Sequence, residues 1–314
     1  MTRIICGVDV ASSSLQARIG HTGAAAWFAN HAQGLAELTA FCQQHQVELV
    51  AMEATGGYEQ QAFAQLSAHG LGVAILNPRA VRQFAQSMGR LEKTDRIDAG
   101  MIAWYAEVKQ SAALCLAPRS QQQLRALVTR LRQLTDMRTA QLNQQRLVTE
   151  PVVEATFDAV LGCIASQIRE LEQRIATLIT ADPLWRELNQ TFRTIKGVAD
   201  RTVARLMAEM PEIGTLSHKT ISKLAGVAPL ACDSGKHQGK RAVRGGRASV
   251  RDILFIVASV VGRHEPDFIA FRQRLAERGK PPKVIRIALA HKLLVRLNAR
   301  AREARQRLAQ TSQP

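Results

Sequence analysis

Four carboxylates stand at positions where a folded chain could gather them. Asp9 lies near the end of the first apolar segment, and Glu53 directly follows the apolar run Leu49–Met52. Asp95 and Asp98 are three residues apart at the start of a predicted helix, so both project from one helix face. Hard divalent cations such as Mg²⁺ prefer oxygen ligands, and a pair of such ions promotes phosphodiester cleavage. The four acids are therefore candidate Mg²⁺ ligands and catalytic residues.

Each acid also has a structural interpretation. Asp95, or Thr94 before it, could cap the helix N-terminus, and Asp98 is a favourable first-turn acid. An acid at a strand end is as readily solvated in a loop as it is a ligand. Glu53 fits this interpretation least, because it stands between a buried apolar run and a Gly-Gly turn. Spacing alone leaves both interpretations open.

A serine in the C-terminal third has unusually basic surroundings. Ser234 lies between an aspartate and a glycine, in a predicted loop with five cations: Lys236, Lys240, Arg241, Arg244 and Arg247. A serine hydroxyl attacks only when a base, a metal or local positive charge helps to remove its proton. Cations would also stabilise the negative charge on a phosphoryl group under attack. Taken alone, an ordinary turn serine is the more frequent interpretation.

The net charge is distributed unequally along the chain. The total is +16, yet residues 1–190 hold 17 basic and 17 acidic residues, whereas residues 191–314 hold 25 against 9. A charge concentrated in one third of a chain favours a polyanionic partner such as nucleic acid. The region includes a turn at Lys280–Lys283 and a basic amphipathic helix over Val284–Leu297. Solvated helix faces are the alternative, above all for Arg296, Arg300, Arg302, Arg305 and Arg307.

Composition excludes several other classes. Five scattered cysteines without a CxxC pair argue against a disulfide framework or zinc site and favour a reducing cytoplasm. No apolar run in the sequence reaches the length needed to span a membrane, so we expect no membrane partner. The N-terminus reads as a strand rather than a signal peptide.

The first 110 residues predict an α/β domain. Short apolar strands are predicted at Arg3–Val10, Ala24–Phe28, Val47–Met52 and Leu71–Leu76, with helices between them and another helix beginning near Thr94. Such alternation indicates a partly parallel sheet covered on both faces. The carboxyl ends of its strands would then bring Asp9 and Glu53 together.

The middle of the chain predicts two long amphipathic helices. Leucines recur at steps of three and four within Gln121–Leu134, and a similar seam follows Pro151. These seams indicate a coiled-coil arm, paired internally or with a second subunit. We therefore divide the chain into residues 1–115 (α/β), 116–185 (central coiled-coil helices) and 186–314 (mainly α and basic).

Three segments carry a resemblance to a known family. Gly7–Ala11, Glu53–Tyr58 and Lys93–Ala99 resemble, in this order, the signature stretches of the DEDD transposases, the insertion-sequence "one-ten" family that includes the pilin-gene invertases. The resemblance spans nearly the whole chain. It implies an RNase H-like N-terminal domain similar to Holliday-junction resolvases, with the four matching acids as Mg²⁺ ligands, and a mainly α C-terminal transposase domain.

The resemblance also implies a role for Ser234. That residue matches the family's nucleophile, which attacks DNA, forms a covalent phosphoserine link and acts with the acidic metal site. The implied nucleic-acid-binding residues are Lys236, Lys240, Arg241, Arg244, Arg247 and Arg251. His237 is a candidate proton shuttle, a phosphate contact or a bystander.

Partners follow from the same resemblance. They are donor and target DNA, a structured bridge RNA that guides recombination, and further copies of the chain in a homodimer that assembles into a tetramer. Three alternatives stay open: an RNA-independent DNA invertase, a structure-selective nuclease that uses the acids alone, and a non-catalytic nucleic-acid-binding protein.

Overall fold

The structure, a computed structural model, describes residues 3–90, 95–231, 233–235, 237–239 and 241–311. Of Asp95–Asp98, His237 and Gln238 it describes the backbone course alone. The chain divides into two compact units, Met1–Ala117 and Pro118–Pro314.

The first unit is built on a five-stranded sheet. Its strands are β1 (Ile5–Val10), β2 (Ser14–Ile19), β3 (Ala25–Ala29), β4 (Leu49–Glu53) and β5 (Gly72–Leu76). The spatial order is β3-β2-β1-β4-β5. Strands β1, β4 and β5 are parallel, while β2 and β3 join them as an antiparallel meander. The prediction of a partly parallel sheet is thus confirmed.

Four helices accompany this sheet. They are α1 (Ala32–Gln44), α2 (Glu59–Ala68), α3 (Pro78–Ser87) and α4 (Asp95–Val108). Alternate residues of the strands face opposite sides, so Val8 and Val50 pack in a core with α1 and α2, whereas Ile5 and Ala51 pack in a second core with α4. Both faces are therefore covered.

Two elements of this unit were not predicted from the sequence. Strand β2 begins in a run of serines, and its apolar residues are Leu15, Ala17 and Ile19 on the inward side. Helix α3 starts directly after β5. The Asn77 side chain accepts a hydrogen bond from the amide of Arg79 (2.9 Å), and Pro78 occupies the first helical position.

The second unit is mostly helical, as predicted. Its helices are α5 (Arg119–Gln145), α6 (Pro151–Ala181), α7 (Pro183–Arg193), α8 (Asp200–Glu209), α9 (His218–Leu224), α10 (Ala248–His264), α11 (Pro266–Glu277) and α12 (Pro282–Thr311). Four two-residue strands lie between α9 and α10: β6 (Pro229–Leu230), β7 (Asp233–Ser234), β8 (His237–Gln238) and β9 (Ala242–Val243).

Helices α5 and α6 form an antiparallel hairpin. Leu124, Leu131 and Leu134 of α5 are buried with Ile168 and Ile175 of α6, so the apolar seams lie between the two helices of one chain. One continuous core runs from this seam into α7, α8, α10 and α12. The hairpin and the basic helices therefore share a single folded unit.

Helix α6 also has an unusual composition. Within the described residues, it is the helix long and apolar enough, by length and composition alone, to cross a membrane. Its buried residues, which include Ile164, Ile168 and Ile175, recur at helical spacing toward α5, as in the amphipathic helices of soluble proteins.

Several arginines of α12 bind the protein itself. Arg302 donates to the carbonyl of Leu216 (2.8 Å), and Arg305 donates to the carbonyls of Ile213 (2.9 Å) and Pro211 (3.0 Å). Arg307 pairs with Glu187, and Arg300 with the Thr194 hydroxyl. These cations fasten the α8–α9 connection and α7 to α12.

Candidate functional site

Asp9 and Glu53 reach the same edge of the first sheet. Strands β1 and β4 are parallel neighbours with Gly7 opposite Ala51 and Val8 opposite Met52. One further step in this register sets Asp9 beside Glu53. Both share the sheet face of Ile5 and Ala51, because side chains alternate along a strand. The register therefore brings two half-buried carboxylates together at the carboxyl ends of adjacent strands.

Helix α4 begins at this same edge. A β-carbon on Gly7 would overlap the carbonyl oxygen of Ala99 and lie 2.6 Å from the amide nitrogen of Ala103, so the helix rests directly on β1. After the helix ends, the carbonyl of Ser111 accepts a hydrogen bond from Arg3, at the opposite end of β1. The helix consequently runs antiparallel to the strand.

This direction carries the first turn of α4 toward the end of β1 where Asp9 lies. Asp95 and Asp98 belong to that turn by sequence, and their side chains fall outside the described part of the structure. The backbone thus supports the predicted convergence of the acids, and the positions of these two carboxylates stay a prediction.

The loop after Glu53 is held by its own hydrogen bonds. The Glu59 carboxylate accepts from the amides of Thr55 (3.0 Å) and Gly57 (2.9 Å), and the Thr55 hydroxyl donates to the carbonyl of Glu53 (3.0 Å). Gly56 and Gly57 both have positive φ, which glycine adopts without strain. The Glu-Ala-Thr-Gly-Gly-Tyr segment therefore forms a rigid turn that fixes the backbone of Glu53.

Glu53 also opens onto a cleft of about 460 Å³. Helix α3 supplies most of the lining, including Arg79, Val81 and Arg82, and α4 adds Met101. The sequence analysis did not single out these two arginines. The signal for them was the cap-and-proline start at residues 77–78, which turns the segment after β5 into a helix beside Glu53.

The donor set suits a hard cation. Asp9 and Glu53 offer carboxylate oxygens, the ligands that Mg²⁺ prefers. Among the side chains that the structure describes, no group of three histidines, cysteines or acids could hold a metal ion. Two of the four predicted ligands belong to that described set, and the other two do not.

Ser234 lies beside the turn of a β-hairpin. Strand β6 pairs antiparallel with β9, and β7 pairs antiparallel with β8, with Ser234 opposite His237. Ser234 is solvent-exposed, and Gly235 after it has positive φ. The hairpin thus projects the serine away from the core, where a large substrate can reach it.

An ion pair braces the hairpin. Asp233 accepts from the guanidinium of Arg241 (2.6 Å) and from the amide of Gly239 (3.2 Å). The predicted DNA contact Arg241 is therefore used, at least in part, to hold the strand that carries Ser234.

The base of the hairpin is closed by glycines and two arginines. A β-carbon on Gly226 would overlap the carbonyl of Gly245, so the chain entering the hairpin touches the chain leaving it. Arg251 donates to that same carbonyl (2.7 Å). Arg247 binds both oxygens of Glu212 (2.6 and 2.7 Å) and the carbonyl of Glu209 (2.8 Å).

The predicted nucleic-acid-binding residues fall into three groups in the structure. Arg247 and Arg251 make structural hydrogen bonds at the base of the hairpin. Arg244 is exposed and makes no side-chain hydrogen bond or ion pair with the residues that the structure describes. Lys236 and Lys240 lie outside those residues.

The half-buried carboxylate of Glu212 in this clamp has a perturbed pKa. Burial alone would raise the pKa of Glu212, but hydrogen bonding and the charge of Arg247 outweigh it and hold the pKa below its ordinary value of 4.5. Glu212 therefore stays ionised in the folded protein at neutral pH.

Two family models match the chain. One, described as a transposase of the DEDD group of IS110, matches residues 6–149, and the other, described as Transposase IS116/IS110/IS902 family, matches residues 189–273. The pilin gene-inverting proteins of Moraxella bovis and Moraxella lacunata are each 30% identical to this chain, over 94% of either chain. The chain belongs to the IS110 family of DEDD transposases. The first matched range contains the four predicted acids, and the second contains Ser234.

Membership gives the chain its general activity. It is an IS110-family transposase or recombinase, and its substrate class is DNA. The resemblance inferred from the three motifs is thereby confirmed.

Proposed function

We propose that this chain is an insertion-sequence transposase that exchanges DNA strands through a covalent phosphoserine intermediate, with Ser234 as the nucleophile. The observation that carries the proposal is the exposed β-hairpin, braced by the Asp233–Arg241 ion pair, that presents Ser234 to solvent. An ordinary turn serine needs no such bracing. The match of residues 189–273 to the family's transposase domain supports the same assignment.

The proposed step balances without an energy source. The Ser234 oxygen forms a bond to phosphorus as the bond from phosphorus to a sugar oxygen breaks, and the serine proton leaves with that sugar oxygen. One phosphodiester bond replaces another of similar energy, so the reverse attack by a sugar hydroxyl of another strand reseals the DNA. Neighbouring cations, with Arg244 as the described candidate, stabilise the charge that builds on the phosphoryl oxygens.

Asp9, Glu53, Asp95 and Asp98 are the proposed metal ligands. Bound Mg²⁺ would supply charge stabilisation at the scissile phosphate. The parallel register of Asp9 and Glu53 supports this assignment, as does the course of α4 toward the same sheet edge. The strand order β3-β2-β1-β4-β5 supports an RNase H-like fold for the first unit.

The serine decides between transposase and nuclease. Ser234→Ala is expected to abolish the covalent protein–DNA adduct and strand exchange on a supercoiled plasmid that carries the element with its flanking DNA. Denaturing electrophoresis of the labelled DNA detects the adduct. Ser166→Ala, an exposed helical serine of the same unit, is the matched control and should behave as wild type.

Two results would contradict the serine mechanism. Normal recombination by the Ser234→Ala variant would exclude the serine as nucleophile. Metal-dependent nicking by that variant and by wild type alike, with no adduct in either, would favour a nuclease that uses the acids alone.

We also propose that a structured bridge RNA guides the reaction. The chain has few aromatic residues, 4% of the total, so base-stacking platforms are scarce and contacts to backbone should dominate. The pilin gene-inverting relatives favour the alternative of an RNA-independent invertase. Sequencing the nucleic acid that co-purifies with the chain, expressed beside its own flanking DNA, separates the two: a discrete element-encoded RNA is expected, and its absence favours the invertase.

The helical hairpin α5–α6 is the proposed coiled-coil arm through which two copies form a dimer, which then pairs into a tetramer. Near its tip, Leu147 is 85% exposed and Val152 is 74% exposed. Apolar side chains exposed in this way on two adjacent helix ends are typical of a surface that a partner covers.

A further inference from the structure

A cluster of six cations marks the end of the second unit where α11 meets α12. Its members are Arg272, Arg274, Arg278, Lys280, Lys283 and Arg286, and all six are exposed. We call this set the basic corner. In the sequence between Phe268 and Arg302, the single acidic residue is Glu277. Positive charge is thus locally concentrated in this part of the chain, with almost no acidic residues to balance it.

Many of the other cations that the structure describes in this unit have partners. Arg193, Arg201, Arg205, Arg241, Arg247, Arg296 and Arg307 form ion pairs, and Lys292, Arg251, Arg302 and Arg305 bind backbone carbonyls. No side chain of the basic corner forms a hydrogen bond or ion pair with any residue in the part of the chain that the structure describes. Apart from the contacts of Arg274 and Arg286 with aromatic rings, the fold therefore does not use these six charges to hold itself together.

The six cations lie on adjoining elements. Arg278 and Lys280 occupy the short connection between α11 and α12, and Lys283 is in the first turn of α12. Arg286 lies over the ring of Phe255 on α10 (4.7 Å to the centroid), while the Arg272 side chain passes near Gly262 of the same helix. Helix α10 thus joins the α11 and α12 sides of the corner.

The aromatic rings beneath the corner are occupied by cations. Arg274 lies over Phe271 (5.4 Å), Lys292 over Phe268 and Phe271, and Phe268 is fully buried. Rings covered in this way offer no free face for an unpaired base. Single-strand binding sites, by contrast, combine cations with open aromatic platforms. The surface consequently fits a ligand whose charges are outside and whose bases are already paired.

We propose that the basic corner binds the phosphate backbone of duplex DNA, as a contact surface separate from the Ser234 hairpin. This inference rests on the proposed function, because it takes DNA as the substrate. Four of the six cations are arginines, whose planar guanidinium groups bind phosphate oxygens in pairs. Contacts to phosphate position a duplex without reading its sequence. The corner would thus set affinity and orientation for any DNA that Ser234 attacks.

The experiment uses the full chain and a 30-base-pair DNA duplex of arbitrary sequence. Fluorescence anisotropy measures Kd over a series of NaCl concentrations for wild type and for Arg278→Gln/Lys280→Gln/Lys283→Gln. The logarithm of affinity falls with the logarithm of salt concentration by about 0.9 per neutralised phosphate. We expect the triple variant to bind roughly ten-fold more weakly at moderate salt and its slope to be shallower by about 2 to 3.

A matched control removes the same charge from scattered sites. The control changes three exposed residues to Gln: Lys109, which directly follows α4, Arg169 on α6 and Lys219 on α9. The control should keep the wild-type salt slope, because it leaves the basic corner intact. An equal loss in both triple variants, or no loss in the corner variant, would overturn the proposal.

Two further measurements complete the test. Six neighbouring cations repel one another, so the corner variant should melt no lower than wild type, whereas a role in folding would lower its Tm. An RNA duplex of the same sequence serves as the second ligand: a greater loss for RNA than for DNA would assign the surface to RNA and overturn the choice of DNA. The Ser234→Ala variant should retain the wild-type slope, so failure of the serine mechanism and failure of the corner are separately visible.

Discussion

The single residues Asp9 and Glu53 must lie close together to bind a cation, although their negative charges repel each other. A site for a divalent cation needs carboxylates close together, yet adjacent negative charges repel when no cation separates them. The parallel register between β1 and β4 enforces the approach, since backbone hydrogen bonds set the strand spacing. The stability of this edge should therefore depend on divalent cation.

Asp9→Asn tests this dependence. In wild type, added Mg²⁺ should raise the Tm of the first unit, because a ligand that binds the folded state stabilises it. The variant should lose most of that rise and all Mg²⁺-dependent cleavage. Differential scanning fluorimetry across a Mg²⁺ series measures the effect. Glu107→Gln, an exposed acid on α4, is the control; a variant that keeps the full rise would remove Asp9 from the ligand set.

The positions of the candidate acids could be predicted from the sequence, whereas the structural roles of several arginines could not. Asp9 and Glu53 follow apolar runs that can only be buried strands, so their meeting at a sheet edge could be predicted. Arg247 could not be assigned in the same way, because its partner Glu212 lies 35 residues earlier and the two meet only after folding. Arg79 and Arg82 were missed because the short helix α3 that carries them was not predicted, although Val81 and Ala85 on it are buried.

At the level of elements, Gly7 determines how closely α4 approaches the sheet. The helix backbone occupies the space that a side chain at residue 7 would fill. This contact also holds the start of the helix, with Asp95 and Asp98 in its sequence, at the end of the strand that bears Asp9.

Gly7→Ala should force α4 away from β1 and destabilise the first unit by about 1 to 3 kcal/mol, the usual cost of overpacking. Urea unfolding followed by circular dichroism measures the change. Gly162→Ala is the matched control, because Gly162 is an exposed helical glycine with open space around it. That substitution should instead stabilise α6 by about 1 kcal/mol. A neutral result for Gly7→Ala would contradict the close packing.

The clamp between Glu212 and Arg247 sets the pH response of the hairpin base. A carboxyl whose pKa is lower in the folded than in the unfolded state adds stability above its unfolded value, and this stability is lost as pH falls through the folded value. The unfolded value here is about 4.5, so the loss belongs below that pH.

Glu212→Gln should therefore cost about 1 to 2 kcal/mol at pH 7, a range discounted for the 34% exposure of both side chains. The difference from wild type should shrink as pH falls below 4.5. Urea titrations at pH 7, 5 and 3.5 check this. Glu303→Gln, at an exposed position of α12, should change little at any pH. A difference that persists unchanged at the lowest pH would mean that the glutamate acts through shape rather than charge.

Strand and helix prediction succeeded for long amphipathic helices and for continuous apolar runs. The arm helices α5 and α6 follow from apolar periodicity, and the buried strands β1, β4 and β5 follow from short apolar runs. Strand β2 is a short alternating segment with Leu15, Ala17 and Ile19 on its inward side, and the two-residue strands around Ser234 have no such signal. Those short strands form because Asp233, Arg241 and the glycine contacts close the hairpin, which are pairings that no local pattern contains.

For the whole molecule, the cations without ion pairs and the most exposed apolar side chains lie on different surfaces. Exposed cations cluster at the basic corner and around the hairpin, whereas the two most exposed large apolar side chains that the structure describes, Leu147 and Val152, lie near the tip of the α5–α6 arm. The two surfaces suit different partners, since phosphate contacts depend on salt and apolar contacts do not. Assembly and DNA binding should therefore respond to different substitutions.

Leu147→Glu/Val152→Glu tests the assembly. These charges would have to be buried in any interface through the arm tip, so the variant should elute with the mass of a single chain in light scattering coupled to gel filtration. Val108→Glu, at an apolar residue of α4 that is 58% exposed, should leave the mass of the assembly unchanged. If the Leu147→Glu/Val152→Glu variant still formed a dimer, the arm tip would not be the dimer interface.

The glycine contact at the base of the Ser234 hairpin has a consequence for exchange between relatives. Because Gly226 and Gly245 touch, the ends of the intervening segment are already joined in space, and the chain between them adds little to the core. Substituting residues 229–243 with the corresponding segment of a pilin gene-inverting relative should therefore incur almost no loop-closure penalty. The proposed nucleophile, Ser234, thus lies on a segment that can be exchanged, and chimeras at this boundary can reveal which reaction preferences the segment brings with it.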